Sequence, residues 1–159
     1  MPMSLAWRWL LFAAALFVGA AAIAYADPPA ARPGPIPPGD ARIWIYRDYE
    51  PSESLNMTAV SINGRVTGYA QPGGGVFYRD VPRGRYLVTV ASYGRDMGQA
   101  TRLDLAAGQE AYVKIESLRS WSSSGGDVTS IERDTFYARP IPPRLARAEM
   151  AHVRYYGGG

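Results

Sequence analysis

The chain has 159 residues, of which 47% are hydrophobic and 19% charged, a balance typical of one globular domain and not of a disordered or fibrous chain. It contains no cysteine and a single histidine, which excludes disulfide frameworks, thiolate nucleophiles and zinc sites built from Cys and His. The formal net charge is +3, and the arginines are spread among acidic residues instead of forming a basic run, so the sequence predicts no nucleic-acid partner.

The first segment, Met1 to Ala26, has the pattern of a secretory signal peptide. Arg8 supplies positive charge ahead of an uncharged, mostly apolar run, and Ala24 to Ala26 form a small-x-small cleavage site. We therefore expect an exported protein, periplasmic or associated with the cell envelope, whose mature form begins at Asp27. The alternative is a retained anchor, since the uncharged run is just long enough to span a membrane. Membrane contact is expected only in that case.

A proline-rich linker is predicted over residues 27–40. Proline lacks the backbone N–H that a sheet ladder needs, and it favours extended polyproline geometry. The segment therefore has the character of a spacer between the signal and the folded domain. It contains Pro28, Pro29, Pro33, Pro35, Pro37 and Pro38.

The β-sandwich domain is predicted over residues 41–135, starting with a strand at Ala41. Ile43 and Ile45 point to one side of this strand and alternate with polar and aromatic residues, as expected for a half-buried strand. The side opposite the isoleucines carries Arg42, Trp44 and Tyr46.

Six further strands follow at regular spacing. Asn63-Gly64 is the strongest hairpin signal in the sequence. The glycine-rich segment Gln71 to Gly75 is expected to be a flexible hairpin turn. It is not expected to be a phosphate-binding loop, because no Lys-Ser/Thr pair and helix follow it. This spacing predicts an all-β fold, a seven- to eight-stranded antiparallel β-sandwich with a short C-terminal α-helix. The strands are predicted over Met57 to Ile62, Arg65 to Tyr69, Val76 to Val81, Arg85 to Ser92, Thr101 to Leu105 and Glu110 to Glu116.

The remaining sequence is less regular. Ser120 to Gly126 is predicted to be a loop, and Val128 to Asp134 an eighth strand or an edge segment. A C-terminal extension over residues 136–159 is expected to hold a helix over 144–153, started by Pro143, with one apolar face. That face consists of Ala146, Met150 and Val153, and the last five residues, Tyr155 to Gly159, are expected to fray.

Four segments carry a resemblance to a known family. Ala41 to Arg47 (ARIWIYR), the hairpin segment Ser61 to Arg65 (SINGR), and the blocks Val76 to Tyr86 and Leu103 to Val113 resemble the domain of unknown function 2846 family. These are small exported bacterial domains, and the same pattern of turn residues between strands occurs in PEGA and carboxypeptidase-regulatory-like domains. The resemblance implies a β-sandwich and brings no catalytic residues, because a fold does not by itself specify an activity.

The search for catalytic chemistry gives no convincing site. The carboxylate pairs Glu50 with Glu53 and Glu132 with Asp134 lie in polar sequence, where we expect solvated surface charge. His152, the only imidazole, lies on the predicted helix, and Ser120 to Ser124 lack the strand-turn-helix context of a hydrolase nucleophile. We therefore predict no catalytic residue, no metal and no cofactor.

The sequence thus favours a non-enzymatic, exported binding or structural module of the cell envelope, whose partner is an envelope protein or a glycan. The alternative is a carbohydrate-binding module that uses exposed aromatic side chains as a stacking platform. A third class, an acid-base enzyme, would require a concave pocket with a desolvated carboxylate at Glu132 or Asp134. The candidate stacking residues are Trp44, Tyr46, Tyr69 and Trp121.

Overall fold

The computed structural model describes residues 33–50, 54–93, 95–122 and 131–158 of the chain. The predicted signal peptide and residues 27–32 of the predicted linker lie outside the described residues. The side chains of residues 119–122 and 131–133 are also outside them, so only the backbone of Trp121 is placed.

The elements are β1 Asp40–Arg47, β2 Thr58–Ile62, β3 Arg65–Ala70, β4 Gly75–Pro82, β5 Gly84–Val90, β6 Ala100–Leu105, β7 Glu110–Ser122, β8 Ile131–Pro140, the helix α1 Pro143–Met150, and β9 Tyr155–Gly158.

The strands form two packed sheets, which confirms the predicted β-sandwich with a short C-terminal helix. One sheet has five strands in the order β8-β7-β1-β4-β9, and the other has four in the order β3-β2-β5-β6. The described residues contain nine strands, one more than the upper limit of the prediction. The pairing is also not purely antiparallel, because β1 pairs with β7 and β4 pairs with β9 in parallel.

The main core fills the space between the sheets, and the period-two pattern explains which residues enter it. Ile43 and Ile45 of β1 are fully buried there, as the alternation predicted. Val88 of β5 faces them from the other sheet, and Val113 and Ile115 of β7 lie beside them. The interior also contains Ala41, Val60, Ile62, Ala70, Phe77, Val90, Leu105, Phe136 and Ala138.

The opposite face of β1 is buried as well, which corrects the expected half-buried strand. Arg42 and Tyr46 on that face are almost inaccessible to solvent. A second apolar cluster forms there from Tyr46, Val76, Tyr112 and the helix residue Ala146. Helix α1 therefore packs on the outer face of the five-stranded sheet and buries strand β1 on both sides.

The C-terminal segment belongs to the sandwich and is not an extension of it. Strand β8 runs through the predicted domain boundary at residue 135 to Pro140, and β9 pairs with β4 where fraying was expected. The helix spans Pro143–Met150, so Val153 lies in the turn after it, although it still packs against the second cluster. Strand β7 continues to Ser122, which replaces the start of the predicted loop. Within the described part of the chain, no helix is long and apolar enough to cross a membrane.

Candidate functional site

The predicted stacking residues do not share one exposed face. Trp44 and Tyr46 lie on β1 beneath helix α1, whereas Tyr69 lies on β3 in the other sheet. Tyr46 is only 1% exposed because the helix covers it, so its ring is not a surface for a ligand. The side chain of Trp121 lies outside the described residues. Of the three candidates whose side chains are described, Tyr69 is the one with a well-exposed side chain, at 50%.

Trp44 is held in an internal network of aromatic and charged groups. Its ring lies 5.2 Å from the ring of Tyr78 and 6.4 Å from that of Tyr112, parallel to the latter within 3°. Its Nε1 donates to Glu110 Oε1 at 3.0 Å, and the Tyr112 hydroxyl donates to Glu110 Oε2 at 2.8 Å. Arg147 of helix α1 donates to Glu110 Oε2 at 2.7 Å. The network joins the sheet to the helix and leaves its polar groups partnered.

The charge state of Glu110 is set by two opposing effects. Partial burial favours the neutral acid and, alone, would raise the pKa of its carboxyl. Hydrogen bonds from Trp44, Tyr112 and Arg147 together outweigh burial and hold the pKa of Glu110 below its ordinary value. Glu110 therefore remains an anion that links β7, β1 and α1.

Tyr46 forms a second contact with the last turn of the helix. Its hydroxyl donates to Glu149 Oε2 at 2.6 Å, and Lys114 Nζ lies 3.2 Å from the same oxygen. Burial and the hydrogen bond to Glu149 both raise the pKa of Tyr46, because each disfavours the phenolate. The predicted stacking face is thus the surface on which helix α1 sits.

Arg42 attaches the proline-rich segment to the same face. Its Nε and Nη2 donate to the two carboxylate oxygens of Asp80 at 2.6 and 2.8 Å, and its guanidinium lies 4.0 Å from the centroid of the Tyr78 ring. Its Nη1 donates to the backbone carbonyl of Gly34 at 2.9 Å. The last part of the linker is therefore bonded to the domain.

The surface that includes Tyr69 is a groove of about 500 Å³ on the open side of the sandwich, between the edge strands β3 and β9. We call it the β3–β9 groove. Tyr69 lies on one edge strand and Tyr156, 46% exposed, on the other. The groove is lined by Gly68, Tyr69, Gln71, Phe77, Arg79, Tyr156, Gly157 and Gly158.

Two glycines make room for the aromatic rings of this groove. A Cβ on Gly75 would lie 2.2 Å from the Tyr156 ring, and one on Gly68 would lie 2.6 Å from the Phe77 ring. Tyr156 therefore lies across the start of β4, and Phe77 reaches under β3. Tyr156 lies in a segment that the sequence predicts to fray, and no local pattern marks a strand that pairs with residues far away in the chain.

Arg79 bridges the two sheets at the groove. Its Nη1 donates to the carbonyl of Tyr78 at 2.7 Å, and its Nη2 donates to the carbonyl of Thr67 on β3. The guanidinium also lies 5.4 Å from the centroid of the Phe77 ring. None of the groove's lining residues is acidic, and Arg79 forms no ion pair with an acidic residue of the described part. The groove therefore presents one oriented positive charge.

A second groove, of about 380 Å³, lies near the carboxylate of Asp134. Asp134 is only 8% exposed, which corrects the prediction of a solvated surface charge. Its Oδ2 accepts hydrogen bonds from Ser54 Oγ at 2.5 Å and from Asn56 Nδ2, while its Oδ1 has no hydrogen-bond partner among the described residues. The side chain of Glu132, the predicted companion of Asp134, lies outside the described residues, as does Glu53 of the other predicted pair. Asp134 thus connects β8 to the β1–β2 loop.

The remaining candidates occupy separate places. His152 is exposed in the turn after α1, and among the described residues no group of three or more His, Asp or Glu side chains could hold a metal ion. Gly73 and Gly74 have φ angles of 81° and 90° in the connection from β3 to β4. Because these strands belong to different sheets, the connection is a crossover and not the expected hairpin.

No protein-family profile, curated protein or solved structure matches the chain. The resemblance to the domain of unknown function 2846 family therefore remains a prediction from the sequence.

Proposed function

We propose that the chain is an exported, non-enzymatic β-sandwich module of the cell envelope that binds another macromolecule. The export signal pattern of Met1 to Ala26 supports the location. The site that supports binding is the β3–β9 groove, whose side chains include half-exposed aromatic rings and one oriented guanidinium. Such a combination of ring faces and hydrogen-bond donors is suited to recognition, in which geometry and polar pairing select the ligand.

The single observation that carries this proposal is the position of Tyr69 and Tyr156 on the two edge strands of one groove. Large aromatic side chains supply apolar contact area at little cost in side-chain entropy. The carbohydrate-binding alternative is favoured by the same pair of tyrosines. The apolar face of a sugar ring can pack on an aromatic ring while polar neighbours form hydrogen bonds with the sugar hydroxyls. Gln71 and Arg79 are such neighbours.

The proposal is tested by co-sedimentation of the purified chain with isolated cell-wall polymer and by capture of envelope proteins on the immobilised chain. Tyr69→Ala and Tyr156→Ala are each expected to weaken binding by about two- to tenfold, the loss of one aromatic contact of about 0.5–1.5 kcal/mol. Tyr49→Ala is the matched control, since Tyr49 is exposed but does not line the groove. Binding that neither groove variant weakens would contradict the proposal.

A further inference from the structure

We infer that the β3–β9 groove takes an acidic saccharide, with a sugar ring against Tyr69 or Tyr156 and its carboxylate facing Arg79. This inference rests on the proposed binding function and names the chemical class of the ligand. Three features of the groove support it: the charge of Arg79, the exposed aromatic rings, and the carbonyl on the edge strand β3 that is already hydrogen-bonded.

The charge of the groove selects an anion. Arg79 is the only charged residue among those that line it, and its guanidinium uses Nη1 and Nη2 donors to hold backbone carbonyls of both sheets. These bonds orient the planar fork, and a guanidinium has five N–H donors in total, so further donors remain for a ligand. Carboxylates match this fork geometry. No acidic side chain of the described part of the chain lines the groove, so that lining does not repel an anionic ligand.

The ring surfaces favour a sugar over a peptide. The lining consists of three glycines, two tyrosines, Gln71 and Arg79, with Phe77 buried below them, so it offers ring faces and polar groups but no series of apolar pockets. An extended peptide would instead bind by adding a strand to β3 and would need the outward carbonyls of that edge. The Thr67 carbonyl already accepts from Arg79, and the register of β3 is irregular at this residue, so the edge of β3 is less suited to adding a strand.

The experiment is isothermal titration of the full chain with two pairs of probes at low salt: oligogalacturonate and oligoglucuronate, each with its fully methyl-esterified form. Esterification keeps the rings and removes the charge. We expect at least one acid to bind about tenfold or more tightly than its ester, with an affinity that falls as salt is added. Poly-glutamate, which has carboxylates but no sugar ring, is expected to bind about tenfold more weakly than that acid.

Three variants assign the effect to residues. Arg79→Gln should remove the preference for acid over ester, Arg79→Lys should retain part of it, and Tyr156→Ala should weaken acid and ester by the same factor. Arg65→Gln is the matched control, because Arg65 lies exposed on the neighbouring edge strand β3 but does not line the groove. The thermal midpoint of each variant shows whether it is folded. If Arg79→Gln does not fold, Arg79→Lys, which keeps the charge but loses the planar fork, tests the fork: its preference for acid over ester should be smaller than that of the parent chain.

Each remaining result overturns the inference in a distinguishable way. Equal binding of acid and ester, weakened by Tyr156→Ala, would overturn the acidic ligand and leave the carbohydrate-binding function standing. Poly-glutamate binding as tight as that of the acids would indicate a general acidic polymer and overturn the saccharide. If no acidic probe binds while Tyr156→Ala still weakens retention on envelope material, the inference fails and the proposed function remains.

Discussion

Asp134 and Arg47 fix the loop between β1 and β2 from two sides. Arg47 is a buried guanidinium that donates to the carbonyls of Ser54 and Asn56 and to Ser117 Oγ at 3.2 Å. Asp134 accepts from the side chains of the same two loop residues. Buried polar groups are stable only when they are bonded, so each of these side chains depends on the others.

Asp134→Ala is therefore expected to lower the free energy of unfolding by about 1–3 kcal/mol, because the buried hydroxyl of Ser54 loses its acceptor. Denaturant titration measures the change. Asp104→Ala is the matched control, since Asp104 is exposed on β6, and it is expected to change stability by less than about 0.5 kcal/mol. Equal effects of the two substitutions would contradict a special role for Asp134.

The burial of Asp134 was predictable in part. The predicted eighth strand ended at this residue, and its neighbours are polar, so the carboxylate was assigned to the surface. In the structure β8 continues to Pro140, and Asp134 shares the inward side of the strand with Phe136 and Ala138. Extending the period-two count through Phe136 would have placed Asp134 on the core side. Its partners Ser54 and Asn56 lie far away in sequence, and no local pattern connects them to it.

At the scale of elements, helix α1 is a cover for the outer face of the five-stranded sheet. Ala146 is fully buried against Tyr46, Val76 and Tyr112, and its small side chain lets the helix approach closely. Polar contacts flank this apolar contact on both sides, from Arg147 to Glu110 and from Glu149 to Tyr46. The helix position is therefore set by close packing at one residue and by charge pairing beside it.

Ala146→Leu is expected to destabilise the fold by about 1–3 kcal/mol, because the added volume at a fully packed position forces the helix away from the sheet. Ala148→Leu, two residues further along the same helix and exposed, is the matched control and should change stability by less than about 0.5 kcal/mol. Thermal and denaturant unfolding measure both variants. A neutral Ala146→Leu would show that the helix is not closely seated.

Local signals predicted the elements better than their pairing. Asn63-Gly64 forms the predicted turn with φ angles of 49° and 80°, both in the left-handed region that this hairpin type requires. The parallel pairing of β1 with β7 and of β4 with β9 joins segments that are distant in the chain, and no short sequence pattern predicts such pairing. For the same reason the sequence suggested Tyr69 as a site residue but could not place Tyr156 opposite it.

At the scale of the whole molecule, the network around Glu110 makes stability depend on pH. Its pKa is lowered in the folded state, so Glu110 contributes stability above the unfolded pKa of about 4.5, and this contribution is lost as pH falls through the folded value. The network joins β1, β7 and α1, so its loss affects the contact between the sheet and its cover.

Glu110→Gln is therefore expected to be less stable than the parent chain at pH 7, because Arg147 loses its charged partner. The difference in the free energy of unfolding should shrink as pH falls below about 4.5, since only the parent chain then takes up a proton on unfolding. Denaturant titrations between pH 7 and pH 3 give this difference directly. A difference that stays constant over this range would contradict the lowered pKa.

The place of Tyr156 in β9 has a consequence for when the β3–β9 groove can form. Gly68, Tyr69 and Phe77 are synthesised well before Tyr156, so the second rim of the groove becomes available only after the sequence of α1 has been made. Strand β9 contributes no residue to the main core, so its removal is expected to open one side of the groove while sparing the buried interior.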